Sequence, residues 1–132
     1  MEAEAVEGPE EVIGDVSLVV TATTSAEPVV PEEVPEGVFV AAVGSFEPEV
    51  AELPPALVSA SRVFVDTMEG AKEEAGDLIQ AERAGTFDWE DATPLEDALR
   101  SPERPAGTVV FESVGHGLWD LAAARTAFAD SV

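Results

Sequence analysis

The sequence contains no cysteine, which excludes a disulfide framework, a thiolate metal site and a cysteine nucleophile. It contains one histidine, His116, and its acidic residues never form an Asp-x-Asp-x-Asp-Gly pattern, so no metal-ligand spacing is present. Positive charge is scarce: 6 basic residues stand against 28 acidic ones, and none precedes Arg62. Binding to nucleic acid and to anionic membranes both depend on basic side chains, so neither is expected as a partner. No apolar run approaches the about 20 residues of a membrane span. The opening Met1-Glu2-Ala3-Glu4-Ala5 lacks the basic region of a signal peptide, which makes the cytoplasm the default location. A Gly-x-Gly-x-x-Gly turn, the usual cradle for a dinucleotide pyrophosphate, is also missing.

With 132 residues the chain has enough length for one core, and its 45% hydrophobic content is too high for a disordered acidic polymer. The acidic excess fits either a partner-binding surface or the solvated surface of a protein from an organism with a salty cytoplasm or an acidic proteome. The central feature is Val38–Val43, six apolar residues stopped by Gly44-Ser45. A run that short, bounded by turn residues, reads as a strand buried on both faces. Similar runs lie before it, in a strand expected over Asp15–Thr23, and after it, over Arg62–Val65. A fourth is expected over Thr108–Ser113. Buried strands need both faces covered, so the remaining segments should supply helices and edges.

Those helices are expected over Pro55–Ser61, where Pro suits a first turn, and over Met68–Ala75, capped by Asp66-Thr67 and closed by Gly76. A third runs over Leu78–Ala84 after an Asp77-x-x-Gln80 capping box and ends at Gly85. Thr93-Pro94-Leu95-Glu96 has the pattern of a further cap, with its helix stopping before Pro102. The last helix spans Gly117–Ala129, with Leu118, Leu121, Ala122, Arg125 and Phe128 on one side. The proline-rich stretch Glu27–Glu36 is short for a crossover helix and reads as an irregular connection containing Pro28-Val29-Val30. Met1–Gly14 reads as an acidic leader with a short helical or extended piece near Glu10–Ile13. Strands alternating with short helices give an α/β fold.

Six motifs then occur in order: Val19-Val20-Thr21-Ala22-Thr23-Thr24-Ser25; Ala42-Val43-Gly44-Ser45-Phe46-x-Pro48-x-x-x-Glu52-Leu53; Val65-Asp66; Glu74-Ala75-Gly76-Asp77-Leu78; Phe111-Glu112-Ser113-Val114-Gly115; and Trp119-Asp120-Leu121-Ala122-Ala123-Ala124. Together they resemble the carboxyl-terminal half of the ornithine cyclodeaminase/mu-crystallin family, over Asp15–Phe128. The ending Ser113–Arg125 is similar to members that reduce cyclic imino acids such as pyrroline-2-carboxylate. The resemblance implies a partial Rossmann-like, doubly wound sheet lacking its Gly-rich first half. It divides the chain into a flexible leader (1–14), the second half of an NAD(P)-binding domain (15–110), and a strand and helix returning to a substrate or dimer domain (111–132).

By the same resemblance Thr21, Ala22, Thr23, Val43, Gly44 and the adjoining Ser45 line NAD or NADP, and Ser113, Val114 and Gly115 lie near nicotinamide and substrate. Small residues at three strand ends would let a ligand approach backbone. The departures are informative. The acidic residue that cyclodeaminases proper carry two positions after Val-Gly is Phe46 here, which cannot act as acid or base and fits a reductase branch. The family's usual Lys before the late Ser is Glu112. The half that supplies the pyrophosphate loop and a basic clamp for the substrate carboxylate has no counterpart here. No catalytic residue is therefore assigned. His116 is a candidate to contact substrate or donate a proton to an imine nitrogen, or else a surface residue at a helix start. Asp77 could serve the site, though a cap would explain it, and Trp89 reads as a loop anchor. Two functions stay open: part of an imino-acid reductase, inactive and binding dinucleotide weakly at best when alone and completed by an N-terminal half or by self-association, or a non-catalytic acidic interaction module. Either leaves apolar surface exposed along Val16–Val20 and around Trp119.

Overall fold

A computed structural model describes residues 3–101 and 103–129. Met1-Glu2 of the leader, the Pro102 stop and residues 130–132 of the last segment lie outside the described residues. Five parallel strands form one sheet in the order β1-β2-β5-β3-β4. They are β1 (Leu18–Thr21), β2 (Phe39–Ala42), β3 (Arg62–Val65), β4 (Thr93–Pro94) and β5 (Val109–Glu112). The helices are α1 (Pro55–Ser59), α2 (Met68–Glu74), α3 (Gly76–Arg83), α4 (Leu95–Ala98) and α5 (Gly117–Ala129). The expected α/β class and partial doubly wound sheet are thus present, with β3 and α5 at the expected bounds and β1, β2 and β5 shorter. The leader holds two 3-10 turns, Pro9–Glu11 and Ile13–Asp15.

Register decides which side chains are buried. Val19, Val40, Val110 and Val63 lie abreast, as do Thr21, Ala42, Glu112 and Val65 one step further on. This face meets Leu57 and Val58 of α1, Ala71 of α2, and Leu78 and Ala81 of α3, which together form the core. Each fully buried aliphatic side chain contributes about 1.5–3 kcal/mol relative to exposure. The proline-rich connection between β1 and β2 contains no helix and lies against the segment before α1, where the Val29 and Val30 N–H groups both donate to the Glu52 carbonyl (2.8 and 3.2 Å).

The expectation that both faces are covered is overturned. Helices α1, α2 and α3 share one face, and on the other Leu18, Val20 and Phe39 are exposed. There Phe39, Phe64, Val109 and Phe111, with Leu95 and Ala98 of α4 at the margin, form an apolar groove of about 420 Å³. Exposed apolar surface at β1 and at Trp119 agrees with the sequence reading. α5 contributes no buried residue, so its apolar stripe has no counterpart among the described residues.

Three cap assignments also change. Gly76 does not close α2: it opens α3, and its N–H donates to the Ser45 carbonyl (2.9 Å). A Cβ at Gly76 would overlap the carbonyls of Val50 and Glu47, so close approach, not a left-handed turn, requires glycine. Asp77 does not cap α3 but lies buried in its first turn, and Gln80 donates instead to the Pro48 and Val50 carbonyls (3.2 and 3.1 Å). Thr93-Pro94 is a two-residue edge strand beside Phe64-Val65 and not a helix cap. Proline, having no N–H to donate, is tolerated on an edge. The α2 cap is Thr67, whose hydroxyl accepts the Gly70 N–H (3.2 Å). Trp89 does anchor its loop, edge-on to Phe87 and under Lys72.

The uneven coverage gives a direct test with one residue type. Leu57→Ala should destabilise the fold by about 2–5 kcal/mol, whereas Leu18→Ala on the open face should change it by less than about 0.5 kcal/mol. Urea midpoints of the two variants check this. Equal losses would mean that the open face is covered.

Candidate functional site

At the carboxyl edge of the sheet the ladder continues one residue beyond the strands. The N–H groups of Val43, Ser113 and Asp66 donate to the carbonyls of Thr21, Ala42 and Glu112 (3.1, 2.9 and 3.1 Å). The ends of β1, β2, β5 and β3 are therefore held side by side, at the edge where open parallel sheets bind ligands. Ala22, Thr23, Val43, Phe46, Gly115 and His116 are exposed on this rim, and Ser113 and Val114 are half-buried.

Beneath the rim lies a layer of buried polar groups. Glu52 accepts the N–H groups of Thr23 (2.5 Å) and Gly44 (2.7 Å), tying the β1 end to the β2 end. Asp77 Oδ1 accepts the Glu52 and Leu53 N–H groups (2.7 and 2.9 Å). Ser45 Oγ lies 2.9 Å from Asp77 Oδ2 and 2.8 Å from Glu112 Oε1. Ser45, Glu52, Asp77 and Glu112 are all at most 1% exposed. Burial raises the Asp77 pKa, opposed by hydrogen bonds from Leu53, Ser45 and Glu52 N–H. Burial also pushes Glu112 well above the ordinary carboxylate range, reinforced by the charge of Asp77. Gly44 must approach this layer closely: a Cβ would overlap the Thr23 carbonyl and the Glu52 carboxylate.

A second carboxylate, Asp66, organises the late Ser-Val-Gly turn. It accepts the Ser113 hydroxyl, the Gly115 N–H (each 2.9 Å) and the Thr67 N–H (2.6 Å). Its role therefore reaches beyond helix capping. The His116 ring lies edge-on to Trp119, and its Nδ1 accepts the Leu118 N–H at the start of α5 (3.1 Å). In the neutral ring that bond leaves the proton on Nε2.

Strand pairing thus brings Thr21, Ala22, Thr23, Val43, Gly44, Ser45, Ser113, Val114 and Gly115 to one edge, with His116 at its margin. Their surroundings differ. The Ser45 hydroxyl and the Gly44 N–H are already engaged with carboxyls, so these two support the rim from below. The Thr21 hydroxyl is buried without a partner. Ala22, Thr23 and Val43 present small exposed surfaces. Glu52 received no role in the sequence reading. The available signal was an acidic residue inside the apolar sequence Val50-Ala51-Glu52-Leu53. Gly44→Ala should cost about 1–3 kcal/mol, the usual penalty of overpacking. Gly14→Ala, with nothing near the added methyl, should be neutral, and chemical denaturation distinguishes the two.

Comparison with known proteins fits this geometry. The Delta(1)-pyrroline-2-carboxylate/Delta(1)-piperideine-2-carboxylate reductase of Azospirillum brasilense is 45% identical over 112 residues, covering 85% of this chain and 35% of that protein. Delta(1)-pyrroline-2-carboxylate reductase 2 of Burkholderia ambifaria is 44% identical over the same shares. The Thermococcus litoralis Delta(1)-pyrroline-2-carboxylate reductase, solved with NADH and L-proline, superposes with a TM-score of 0.82 at 28% identity, covering 94% of this chain and 40% of its own. The iminosuccinate reductase of Paracoccus denitrificans, solved with NAD+, gives 0.83 at 30% identity, with coverages of 96% and 40%. The chain therefore spans between 35% and 40% of the length of these relatives. The profile of the ornithine cyclodeaminase/mu-crystallin family matches residues 1–131, and the chain belongs to that family.

Proposed function

We propose that this chain is the nicotinamide-side part of an NAD(P)-dependent reductase of cyclic imino acids of the pyrroline-2-carboxylate type. The observation that carries the reading is the alignment of the β1, β2 and β5 ends, each finishing in small residues at one edge. The names of the relatives point to the same chemistry. The rim leaves room for a nicotinamide group, since Ala22, Thr23 and Val43 are exposed there. When bound, the cofactor supplies the hydride.

This chain's own residues bind and orient. Asp66 fixes the Ser113–Gly115 turn, and Glu52 fixes the Thr23 and Gly44 backbone. His116, whose Nε2–H is left free by the Leu118 N–H to Nδ1 bond, is the proposed substrate contact; to pass a proton to an imine nitrogen it would act as the imidazolium and give up that Nδ1 bond. Phe46 offers no acid or base at the rim, which favours reduction over cyclodeamination. The sequence has no Gly-rich pyrophosphate loop. Of its basic residues, Arg62 opens β3 at the opposite edge and Arg100 pairs with Glu96 and Asp97. Both the pyrophosphate site and the clamp for a substrate carboxylate are therefore proposed to come from protein outside these 132 residues. The open sheet face, with Phe39, Phe64 and Phe111, is the surface that such a region would cover. No helix among the described residues is long and apolar enough to cross a membrane, and the cytoplasm is the proposed setting.

The test is a thermal melt of the chain with and without millimolar NADH or NADPH. A ligand at ten times its Kd should stabilise the fold by about 1.4 kcal/mol. Ala22→Glu, which places a carboxylate on the rim, should abolish the shift without lowering the unliganded Tm. Turnover of a cyclic imine by the chain alone should be absent and should appear on adding the missing region. A melt indifferent to both cofactors, together with no turnover once the rest of the enzyme is added, would overturn the reading.

A further inference from the structure

Ser45 has one hydroxyl hydrogen, yet its oxygen lies within hydrogen-bond distance of two carboxyl oxygens, Asp77 Oδ2 at 2.9 Å and Glu112 Oε1 at 2.8 Å. Were both carboxyls ionised, one of these contacts would join two acceptors with no proton between them. A second proton must therefore reside in the triad. Asp77 is the better anion, because two N–H groups also donate to its Oδ1. Glu112 receives no N–H, and its Oε2 is buried without a partner.

We propose that Glu112 is held as the neutral acid, donating to Ser45, which donates to Asp77, and that this one-proton relay is a pH-sensitive latch on the Gly44–Ser45 turn. The latch joins three elements: the end of β2 through Ser45, α3 through Asp77, and β5 through Glu112. Gly76 N–H to Ser45 carbonyl and Gly44 N–H to Glu52 complete the attachment of the turn. Loss of the proton leaves two anions against one hydroxyl, and the turn separates from α3.

The charged surroundings offer no alternative to protonation. Glu52 faces the triad from the segment before α1, and Asp66 follows β3 beside the end of β5. The basic side chains on the packed elements, Arg62 of β3, Lys72 of α2 and Arg83 of α3, are exposed, and among the described residues none pairs with the triad. Burial and the Asp77 charge act in the same direction, holding Glu112 well above its ordinary 4.5. The sign follows. A group whose pKa is raised on folding contributes stability in full below its unfolded pKa, and that contribution is lost as pH rises through the folded value.

Thermal and urea melts of the wild-type chain and Glu112→Gln across pH 5–9 test the latch in the protein without ligand. They are run in about 1 M salt, where screening to about 3 Å suppresses surface repulsion. The wild-type folding constant should fall by up to about tenfold per pH unit above the ordinary carboxylate range. Glu112→Gln, whose amide donates to Ser45 at every pH, should remove that slope. Amide exchange at 44–45 and 76–77 should quicken with pH relative to the variant. If the variant fails to fold, the infrared spectrum of the wild type decides: a protonated-carboxyl band at neutral pH, disappearing on alkaline titration, supports the latch. Its absence, or an equal pH slope in Glu112→Gln, overturns it.

Discussion

A carboxylate placed inside a protein without a cation must be satisfied by hydrogen-bond donors or by a proton. That constraint governs the carboxyl edge of this sheet. Glu52, Asp77 and Glu112 lie under the rim, and no arginine or lysine pairs with them among the described residues. Backbone N–H groups from four places, Thr23, Gly44, Glu52 and Leu53, turn toward two of the three. The loops after β1 and β2 are consequently shaped by acceptors they enclose. Gly44 is glycine because its Cα passes against one of those acceptors, and Ser45 is serine because a hydroxyl must link the other two.

The second constraint is coverage. Parallel strands are ordinarily buried on both faces, and here α1, α2 and α3 return on one side, leaving only the short α4 at the margin of the other. The sheet's alternation then divides the apolar residues into two populations. Val40, Val63, Val65 and Val110 are packed, while Leu18, Val20 and Phe39 meet solvent. The two faces read alike in sequence, since a strand destined for two-sided burial carries apolar residues at every position. This sheet retains the composition of a doubly covered one, which is why the open face is informative about assembly.

Much of the fold was legible in the sequence, and the failures have physical causes. Arg62–Val65 was delimited correctly because Ser61 and Asp66 break the apolar run on either side. α5 is legible from the stripe Leu118, Leu121, Ala122, Arg125 and Phe128, although none of its residues is buried. Asp77-x-x-Gln80 has the spacing of a capping box, but tertiary donors 24 and 25 residues away in sequence claim the carboxylate. Thr93-Pro94 likewise satisfies a cap pattern, yet its backbone pairs with β3, a preference no local signal carries. The rim residues could be carried over by resemblance, because each motif is contiguous. The buried layer could not: the members of the Ser45 triad lie 32 and 67 residues from that serine, and only the tertiary fold, pairing β2 with β5 and packing α3 against the turn after β2, brings them together.

The rim and the layer beneath it are coupled through charge. The chain carries a formal net charge of −22, an unfavourable field for an anionic dinucleotide, although exposed charges more than about 8–10 Å away are largely screened at physiological salt. Buried charges are screened far less, so the ionisation of Glu112 weighs more at the crevice than many surface carboxylates. One shared proton leaves the triad with a single negative charge instead of two. By linkage, an anion bound at this edge raises the proton affinity of the triad by the same factor that protonation raises the affinity for the anion. A glutamate at 112 therefore connects the two proposals: the residue that holds the turn in place also sets the electrostatic cost of occupying the crevice above it.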